Sequence, residues 1–413
     1  MGNWFFVAIA MLVAFIASGD RLAYGVFVVP VSEAFNLTRS QAVLPVSVAM
    51  AVWGVSQPFI GSMLDTYGPR RIILAGLALM SLGFLASAVS QNLVQLMLGY
   101  GLFVGIASGG LATAAFGLLI SRRFGQQQRG RAIGFALAGI PLGTLAFAPF
   151  ISFMANSWNW RWAFVVMAAI VLLIGLPLGY LFLKEPRHVE GALAQNFKAG
   201  SLFNKDILRA IKSRAYLFLL LAYFGCGSSG QFLQAHLPAI ARDHGFSPQV
   251  GALGLGMIGA GGAVGAMIGG WLSDRFGRFK VLIAGYLMRA AGFFMLAFFV
   301  SDTTSFYTIA LVAGLPIFLT VTVTQTVVFE IFGTRIAGRM LGLIFVLHQV
   351  GSTLGPWVGG RLYESTDSYQ LALLIGTGLL SFSALCVWLL QEFSKNMKPV
   401  EAIVETAPRA ATS

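Results

Sequence analysis

Charge is the scarcest property of this chain of 413 residues. Only 10% of the residues are charged and only 15 are acidic, whereas 57% are hydrophobic and the mean hydropathy is +0.80. A water-soluble core does not bury so large an apolar fraction, so the composition excludes an ordinary soluble globular protein. We therefore expect an integral membrane protein.

Cysteine and histidine are also scarce, with two and four residues. Cys226 and Cys386 both fall within predicted helices in different halves, which argues against a disulfide framework and a zinc site. The sequence shows no serine–histidine, paired-aspartate or HExxH arrangement with hydrolytic spacing, and no nucleotide-binding motif. We predict neither an enzyme nor a bound cofactor or metal.

Long apolar runs separated by short polar loops dominate the chain. Each run is long enough to cross roughly 30 Å of hydrocarbon as a helix. The first run has no basic region before it and stays apolar through VFVVPV, so we interpret it as a span and not as a cleaved leader. We predict twelve spans, six in each half, at about 4–32, 40–64, 71–90, 92–121, 130–155, 160–183, 215–239, 248–272, 281–300, 304–332, 340–363 and 368–391.

The polar segments define the domain organisation. We predict an N-terminal six-helix bundle at 1–183, a cytoplasmic linker at 184–214, a C-terminal six-helix bundle at 215–391 and a disordered cytoplasmic tail at 392–413. The net charge of +12 needs no nucleic-acid partner, because most of the 27 basic residues fall in loops on one side. Only Arg39, Arg161, Arg242 and Arg361 fall in loops on the other side. The positive-inside rule then places both termini on the cytoplasmic side of the membrane. We expect that membrane to be the inner membrane of a bacterium.

Two hydrophilic landmarks of the first half recur in the second half. GSMLDTYGPRR, which begins at Gly61, recurs as GWLSDRFGRFK from Gly270. RRFGQQQRGRAIG, which contains Phe124, recurs as IFGTRIAGRMLG around Phe332. The two offsets agree to within one residue, and internal repeats of this kind in a membrane protein are typical of transporters.

The first landmark resembles the loop signature G-x-x-x-D-R-x-G-R-[RK] of the major facilitator superfamily. The resemblance implies two pseudo-symmetric six-helix bundles that rock about a central site, with the loop residues acting as a cytoplasmic latch. The latch residues that it implies are Gly61, Asp65, Gly68, Arg70 and Arg71 in the first copy, and Asp274, Arg275, Gly277 and Arg278 in the second. Thr66 stands where the signature has the arginine that Arg275 retains, so we expect unequal latches.

Within that superfamily, YGVFVVPVSEAFNLTRSQ and RGRAIGFALAGIPLG resemble the bacterial monocarboxylate and oxalate/formate-type branch. This resemblance implies a secondary transporter that moves a small organic anion across the lipid bilayer, and we expect it to move protons as well and to work as a monomer. That branch commonly has an arginine in span 8, where this chain has Ala266.

Two other functions stay open at this point. GSTLGPWVGG, from Gly351 to Gly360, resembles the antiporter motif of drug exporters, although it lies in span 11 and not in span 5. It suggests a proton-driven exporter of amphipathic compounds. A membrane sensor built on a transporter fold is the third alternative, but the linker and the tail are too short for a signalling domain.

Ionisable residues within spans are costly, so each needs a partner, a cavity or a function. Asp20 and Arg21 lie side by side in span 1, with Tyr24 one turn later. The family resemblance places span 1 at the central cavity, which makes Arg21 and Tyr24 candidates for binding an anionic substrate. Asp20 is the candidate for carrying a proton, and the alternative is a structural charge pair with a neighbouring helix.

His348 in span 11 is the second candidate for proton coupling, because imidazole changes its charge near physiological pH. With Gln349 it is also a candidate for binding substrate, and the alternative is a histidine bonded within the helix packing. Further candidates for binding substrate are Gln231 in span 7, and Thr322 and Gln325 on one face of span 10. For Arg289 in span 9 we expect snorkelling or a structural bond in preference to substrate contact.

Overall fold

The computed structural model describes residues 3–121, 123–124, 126–184 and 205–395. Within these ranges some side chains are not described, namely those of residues 19–22, 65, 121, 126–131, 205–206, 329, 333–339 and 395. Most of the predicted linker and of the predicted tail therefore lies outside the described residues. Every secondary-structure element in the described ranges is a helix.

The first six spans form one series. α1 is divided by a turn at Ala23 into Asn3–Leu22 and a second piece, Tyr24–Phe35. The other five are α2 at Leu44–Tyr67, α3 at Pro69–Ala88, α4 at Leu93–Ile120, α5 at Gln126–Leu137 and Gly139–Ser157, and α6 at Trp160–Phe182.

The second six spans follow a short helix at Lys205–Ile211. They are α7 at Arg214–Asp243, α8 at Pro248–Phe276, α9 at Arg278–Phe298, α10 at Thr303–Phe332, α11 at Met340–Thr366 and α12 at Gln370–Lys395. Helical backbone is continuous from Thr303 to Thr366, through the connection between α10 and α11.

Eleven helices in the described ranges are long and apolar enough to cross a membrane, and the two pieces of α1 make up a twelfth span. The outer surface is apolar as well: the side chains of Phe59, Leu173 and Trp271 are 68%, 69% and 58% exposed. Lipid, unlike water, solvates such a surface without cost. Length, composition and surface therefore agree with the predicted membrane architecture.

Side chains from the connecting loops cap several helices. Asn159 accepts a hydrogen bond from the backbone N–H of Arg161 at the start of α6, and Ser213 accepts one from Tyr216 at the start of α7. Asp302 accepts one from Ser305 at 2.7 Å before α10. That bond favours the charged carboxylate and lowers the pKa of Asp302. The caps explain why these helices begin where they do.

Glycines at positive φ turn the chain at both copies of the repeated loop. Gly68 (φ 82°) ends α2 and begins α3, and Gly277 (φ 92°) does the same between α8 and α9. Only glycine adopts this backbone conformation without strain. We call the end of the bundle that holds these turns the motif end, and the end that holds the connections at 36–43 and 244–247 the opposite end.

Small residues bring pairs of helices into backbone contact within the second half. A β-carbon at Gly227 of α7 would lie 2.0 Å from the carbonyl oxygen of His348 on α11. Likewise, a β-carbon at Gly265 of α8 would lie 1.9 Å from the carbonyl oxygen of Leu315 on α10. In a membrane, helix association depends on this kind of close packing. α7 and α11 are therefore held in a fixed register around His348.

Candidate functional site

The polar residues predicted on α11 lie together at the interface between the halves. The Nδ1 of His348 is 2.9 Å from the side-chain oxygen of Gln349, and the amide nitrogen of Gln349 donates to the carbonyl oxygen of Met50 on α2 at 3.3 Å. His348 is half-buried, and Gln349 is buried. A titratable imidazole therefore lies one residue from a hydrogen bond between the two halves.

Aromatic rings surround His348 and extend to the first half. The ring of Tyr223 lies 4.5 Å from the imidazole, and the ring of Phe345 stacks on it at 5.5 Å with an interplanar angle of 9°. Trp53 of α2 meets Phe345 edge-on at 5.4 Å. We call Trp53, Tyr223, Phe345, His348 and Gln349 the interface site. Its residues come from α2, α7 and α11, so a rocking of the halves changes its shape.

Sequence reasoning missed the three aromatic members of this site. With 35 phenylalanines and 8 tryptophans in the chain, no pattern singles out three aromatic residues, and aromatic residues in membrane proteins commonly lie at the membrane interface. A weak signal was present in the sequence, since Trp53 is followed four residues later by Gln57, and a helix places both on one face. The side-chain nitrogen of Gln57 is buried without a hydrogen-bond partner.

Arg289 lies in the interior of the second half and not at a lipid interface. Its side chain is 0% exposed. One terminal nitrogen donates to the carbonyl oxygen of Cys226 at 3.1 Å, and the other donates to the Cys226 sulfur at 3.5 Å. Of the two alternatives expected from the sequence, the structure has the structural bond, made to α7. No pattern in the sequence indicates that Cys226 is the partner.

The remaining predicted residues of α7 and α10 lie elsewhere around the interior. Gln231 is buried on α7. The hydroxyl of Thr322 donates to the backbone of its own helix at Leu319 O, 2.9 Å away, as threonines within helices commonly do. Gln325 is half-buried one turn further along α10. The structure describes no contact between these three side chains and His348.

The predicted pair in α1 lies immediately before the turn that divides this helix. The side chains of Asp20 and Arg21 are outside the described residues, but their backbone ends the first piece of α1. Tyr24 follows the turn; it is buried, its hydroxyl donates to the carbonyl oxygen of Ala42 at 3.0 Å, and its ring packs on Tyr100 at 4.5 Å. Interrupted helices are where transporters often bind substrate.

Polar contacts join the two halves at the opposite end. Arg39 pairs with Asp243 at 3.2 Å, and its guanidinium lies 5.2 Å from the centre of the Tyr363 ring. The backbone N–H of Ser40 donates to the carboxylate of Glu364 at 2.9 Å. Arg242 and Glu33 form a second ion pair at 2.6 Å. We call these contacts the clasp; they were not predicted from the sequence.

At the motif end, the predicted latch residues contact their own halves. Arg70 donates to the carbonyl oxygen of Tyr180 at 2.7 Å and so caps the end of α6. Arg278 pairs with Glu330 of α10 at 3.0 Å. Arg71 and Asp274 are exposed, Arg275 lies over the Trp271 ring at 5.4 Å, and the Asp65 side chain is outside the described residues. The two copies therefore make different contacts.

Four of the glycines shared by the repeats face open space in this arrangement. A β-carbon at Gly61 or Gly270 would meet no atom within 4 Å, and the same holds for Gly134 and Gly342. At the opposite end, by contrast, a β-carbon at Gly360 would lie 2.6 Å from the backbone of Ser40. The halves thus touch closely at the opposite end, and the repeated glycines are unpacked at the motif end.

Comparison with known proteins gives the family. The chain matches the Major Facilitator Superfamily over residues 10–262 and 219–411. It is 28% identical to monocarboxylate transporter 13 of Rattus norvegicus, over 98% of this chain and 93% of that protein. It is 23% identical to the oxalate:formate antiporter of Oxalobacter formigenes, over 99% of this chain and 96% of that protein.

A solved structure has the same fold. The inward-facing, unoccupied form of a bacterial homolog to the human lysosomal transporter Spinster matches with a TM-score of 0.75 at 18% identity, over 96% of this chain and 99% of that chain. The predicted all-α fold of twelve spans in two six-helix bundles is thereby confirmed. The chain belongs to the Major Facilitator Superfamily and is a multi-pass membrane transporter, not an enzyme.

Proposed function

We propose that this protein is a proton-coupled secondary transporter of small organic anions, with monocarboxylates as the expected cargo. The observation that carries the proposal is the position of His348, half-buried between the halves in a site that is otherwise formed by three aromatic rings and Gln349. The names of its relatives, a monocarboxylate transporter and an oxalate:formate antiporter, support the choice of a carboxylate.

The chemistry of His348 suits the joint binding of a proton and an anion. In the neutral tautomer with a proton on Nδ1, that N–H donates to Gln349 and the lone pair on Nε2 is the basic site. Protonation of Nε2 adds a second donor and a positive charge, both of which favour a carboxylate. A carboxylate and a proton therefore bind more strongly together than either does alone, which is the requirement for symport.

Arg21 is the proposed anchor for the substrate carboxylate, with Asp20 as its partner or as a second proton carrier. Both residues precede the turn at Ala23, where the helical hydrogen bonding of α1 is interrupted. Tyr24, Gln231, Thr322 and Gln325 stay proposed members of the wall, and none is needed for the coupling step.

Alternating access follows from rocking of two rigid bundles, which we place at 1–183 and 215–391, joined by the linker at 184–214. In the arrangement described here the clasp closes the opposite end, and the repeated glycines at the motif end are unpacked. By the distribution of basic residues we propose that the motif end faces the cytoplasm of a bacterial cell, that the protein lies in the inner membrane and that it works as a monomer.

Uptake by proteoliposomes tests this function. Purified protein is assayed with a panel of labelled monocarboxylates and dicarboxylates, with and without a pH gradient. We expect gradient-driven uptake of at least one monocarboxylate, and a loss of about tenfold or more in Arg21→Ala, because hydrogen bonds to charged groups are worth roughly 1.5–3 kcal/mol. Arg361→Gln, at an exposed arginine, is the matched control.

The proposal fails if no carboxylate on the panel shows pH-dependent uptake and Arg21→Ala transports like the wild type.

One observation argues against the alternative function, a proton-driven exporter of amphipathic compounds. Gly351, Gly355 and Gly359 of GSTLGPWVGG pack α11 against α7, and a β-carbon at Gly355 would lie 2.3 Å from the carbonyl oxygen of Ser228. The motif thus serves helix packing, and sensitivity of a deletion strain to amphipathic compounds is the result that would favour export.

A further inference from the structure

Helices α2 and α11 touch along one part of their length and separate toward the motif end. A β-carbon at Gly54 of α2 would lie 2.8 Å from the Cβ of Gln349 on α11. Gly61 and Gly342 lie about two turns nearer the motif end, and residues two turns apart share a face of a helix. A β-carbon at either glycine would meet no atom within 4 Å. We call the space between these two diverging faces the cleft.

The closed end of the cleft is bordered by aromatic rings. Trp53 of α2 meets Phe345 of α11 edge-on at 5.4 Å, and Phe345 in turn stacks on His348. All three side chains are half-buried, so part of each ring is not covered by protein. Exposed apolar surface at the end of a polar path is a feature of ligand sites. The rings therefore offer contact area to a molecule in the cleft.

A polar group without a partner lies beside these rings. Gln57 is one turn from Trp53 toward the motif end, on the stretch of α2 between Gly54 and Gly61. Its side-chain nitrogen is buried and has no hydrogen-bond partner. Buried donors of this kind are rare in native proteins, and a carboxylate satisfies such a donor with a charge-assisted hydrogen bond. The cleft thus combines apolar rings with an unused donor.

We propose that the cargo is an aromatic monocarboxylate and that Trp53 and Phe345 are the residues that select it. This inference rests on the proposed transport of carboxylates. The carboxylate binds to protonated His348, and the aromatic group of the cargo lies against the two rings. Aromatic pairs favour edge-on or offset contacts, and the Trp53–Phe345 pair has the edge-on form. When the halves rock, the cargo ring replaces one partner of that pair.

The antiparallel course of α2 and α11 places the two carboxylate-binding groups in order along the path. Gln57 lies on the motif-end side of the ring pair, and His348 lies on the opposite-end side, since α2 runs toward the motif end and α11 away from it. The carboxylate therefore meets the two donors in turn as the cargo passes the rings. Gln57 is the binding residue within the cleft.

The same arrangement disfavours two other kinds of cargo. A small acid such as acetate leaves the surfaces of Trp53 and Phe345 uncovered, so it gains little from the rings. A dicarboxylate with its second charge beyond the aromatic group places that charge against the two rings, which provide no cation. Burial of an unpaired carboxylate is costly.

Equilibrium binding to the purified protein in detergent tests the proposal with acids that differ by one group. Isothermal titration calorimetry compares acetate and pyruvate with phenylacetate, and phenylacetate with its para-carboxylated derivative. We expect phenylacetate to bind roughly 10-fold or more tightly than acetate, because its phenyl group is removed from water. The para-carboxylated derivative should bind about tenfold or more weakly than phenylacetate.

Variants of the ring pair test which residues select the cargo. Trp53→Leu and Phe345→Leu should each reduce the advantage of phenylacetate over acetate about 2- to 10-fold, as expected for loss of an aromatic contact, and should leave the binding of pyruvate unchanged. The matched controls are Trp162→Leu and Phe59→Leu, at side chains that are 55% and 68% exposed on the outer surface. They should bind both acids like the wild type.

The outcomes separate this inference from the proposed function. If no carboxylate on the panel binds to the wild type, the proposed function fails. If pyruvate or acetate binds and phenylacetate binds no more tightly, only the selection of aromatic cargo is overturned. If the control variants lose the preference as fully as Trp53→Leu and Phe345→Leu do, the ring pair is not the selecting element. The comparison within the wild type decides the cargo class even where a variant fails to fold.

Discussion

At the scale of single residues, His236 shows how both nitrogens of a buried imidazole can be engaged within the helix packing. Its Nδ1 lies 2.8 Å from the Tyr369 hydroxyl, and its Nε2 lies 2.8 Å from the carbonyl oxygen of Pro356. Burial raises the pKa of Tyr369, so its phenol stays protonated and donates to Nδ1. Nε2–H then donates to Pro356, which leaves both ring nitrogens engaged.

The first prediction concerns this pair. Tyr369→Phe removes the donor and leaves the buried Nδ1 of His236 unsatisfied, which costs roughly 1–3 kcal/mol. We expect a lower midpoint of thermal unfolding in detergent, with unchanged substrate selectivity. Tyr67→Phe, at a tyrosine that is 53% exposed, is the control and should unfold like the wild type. Equal effects in the two variants would contradict the role assigned to the His236 bond.

Single residues were predictable from the sequence only where their type was unusual for a membrane span. His348 and Gln349 stand out in an apolar run, and the structure places both at the interface between the halves. Cys226 does not stand out, because its significance depends on Arg289, which is 63 residues away in the chain. Tertiary contacts of that kind leave no local pattern.

At the scale of elements, the repeated loop is explained by the backbone that it must adopt. Gly277 has φ 92° and ψ 137°, a conformation that only glycine adopts readily, although a β-carbon there would meet no other atom. Gly270, in the same motif, also has open space around it but is helical. Substitutions at these two glycines therefore distinguish the effect of backbone strain from the effect of crowding.

The second prediction follows from that difference. Gly277→Ala should destabilise the protein by roughly 1–3 kcal/mol through backbone strain. Gly270→Ala should be neutral or stabilising, because alanine in a helix is about 0.5–1 kcal/mol more favourable than glycine. Thermal unfolding of the two variants, measured side by side in detergent, checks the order. If Gly270→Ala has the lower unfolding midpoint of the two variants, crowding around the residue, and not its φ, determines the stability of the loop.

The third prediction concerns the contact of α7 with α11. Gly227→Ala places a methyl group 2.0 Å from the carbonyl oxygen of His348, so the helices must separate. Overpacking of this kind costs roughly 1–3 kcal/mol, and the separation displaces His348 from Tyr223. We expect lower thermal stability together with weaker transport. Gly342→Ala on α11, where no atom lies within 4 Å, should change neither; a matching loss would contradict the assignment.

Elements were predictable where length and hydropathy decide them. The predicted spans at 304–332 and 340–363 correspond to Thr303–Phe332 and Met340–Thr366. The turn that divides α1 at Ala23 was not predicted, since no proline or glycine occupies that position and the run stays apolar beyond it. Hydropathy does not record where the helical hydrogen bonding of α1 is interrupted.

At the scale of the whole molecule, the internal repeat indicated two bundles but not which end of them is closed. A transporter of this kind has one sequence but two arrangements, one open at each end, so the sequence pattern cannot favour either arrangement. The clasp residues Arg39 and Asp243 are 204 positions apart, and Arg39 was expected only to lie in a loop on the side with few basic residues. Their pairing is a property of this arrangement and not of either segment alone.

The fourth prediction is that the clasp sets the balance between the arrangements. Asp243→Asn removes the ion pair with Arg39, whose side chains are 16% and 28% exposed. Pairs that remain accessible to water contribute roughly 0.2–1 kcal/mol, so the population open at the opposite end should rise about 1.5- to 5-fold. The rate at which an impermeant maleimide labels Ser40→Cys reports this population, because Ser40 is only 2% exposed while the clasp is closed.

The control for this measurement uses an ion pair that does not cross the interface. Arg361 pairs with Oε2 of Glu364 within α11 at 3.4 Å, whereas the clasp bond from Ser40 is accepted by Oε1 of the same carboxylate. Arg361→Gln therefore removes a charge at the same end and leaves the clasp acceptor in place. Both native cysteines are buried, so they add little to the labelling. If Arg361→Gln raises the labelling of Ser40→Cys as much as Asp243→Asn does, charge at this end and not the clasp governs the opening. If neither variant changes it, the packing of Gly360 against Ser40 holds the end closed instead.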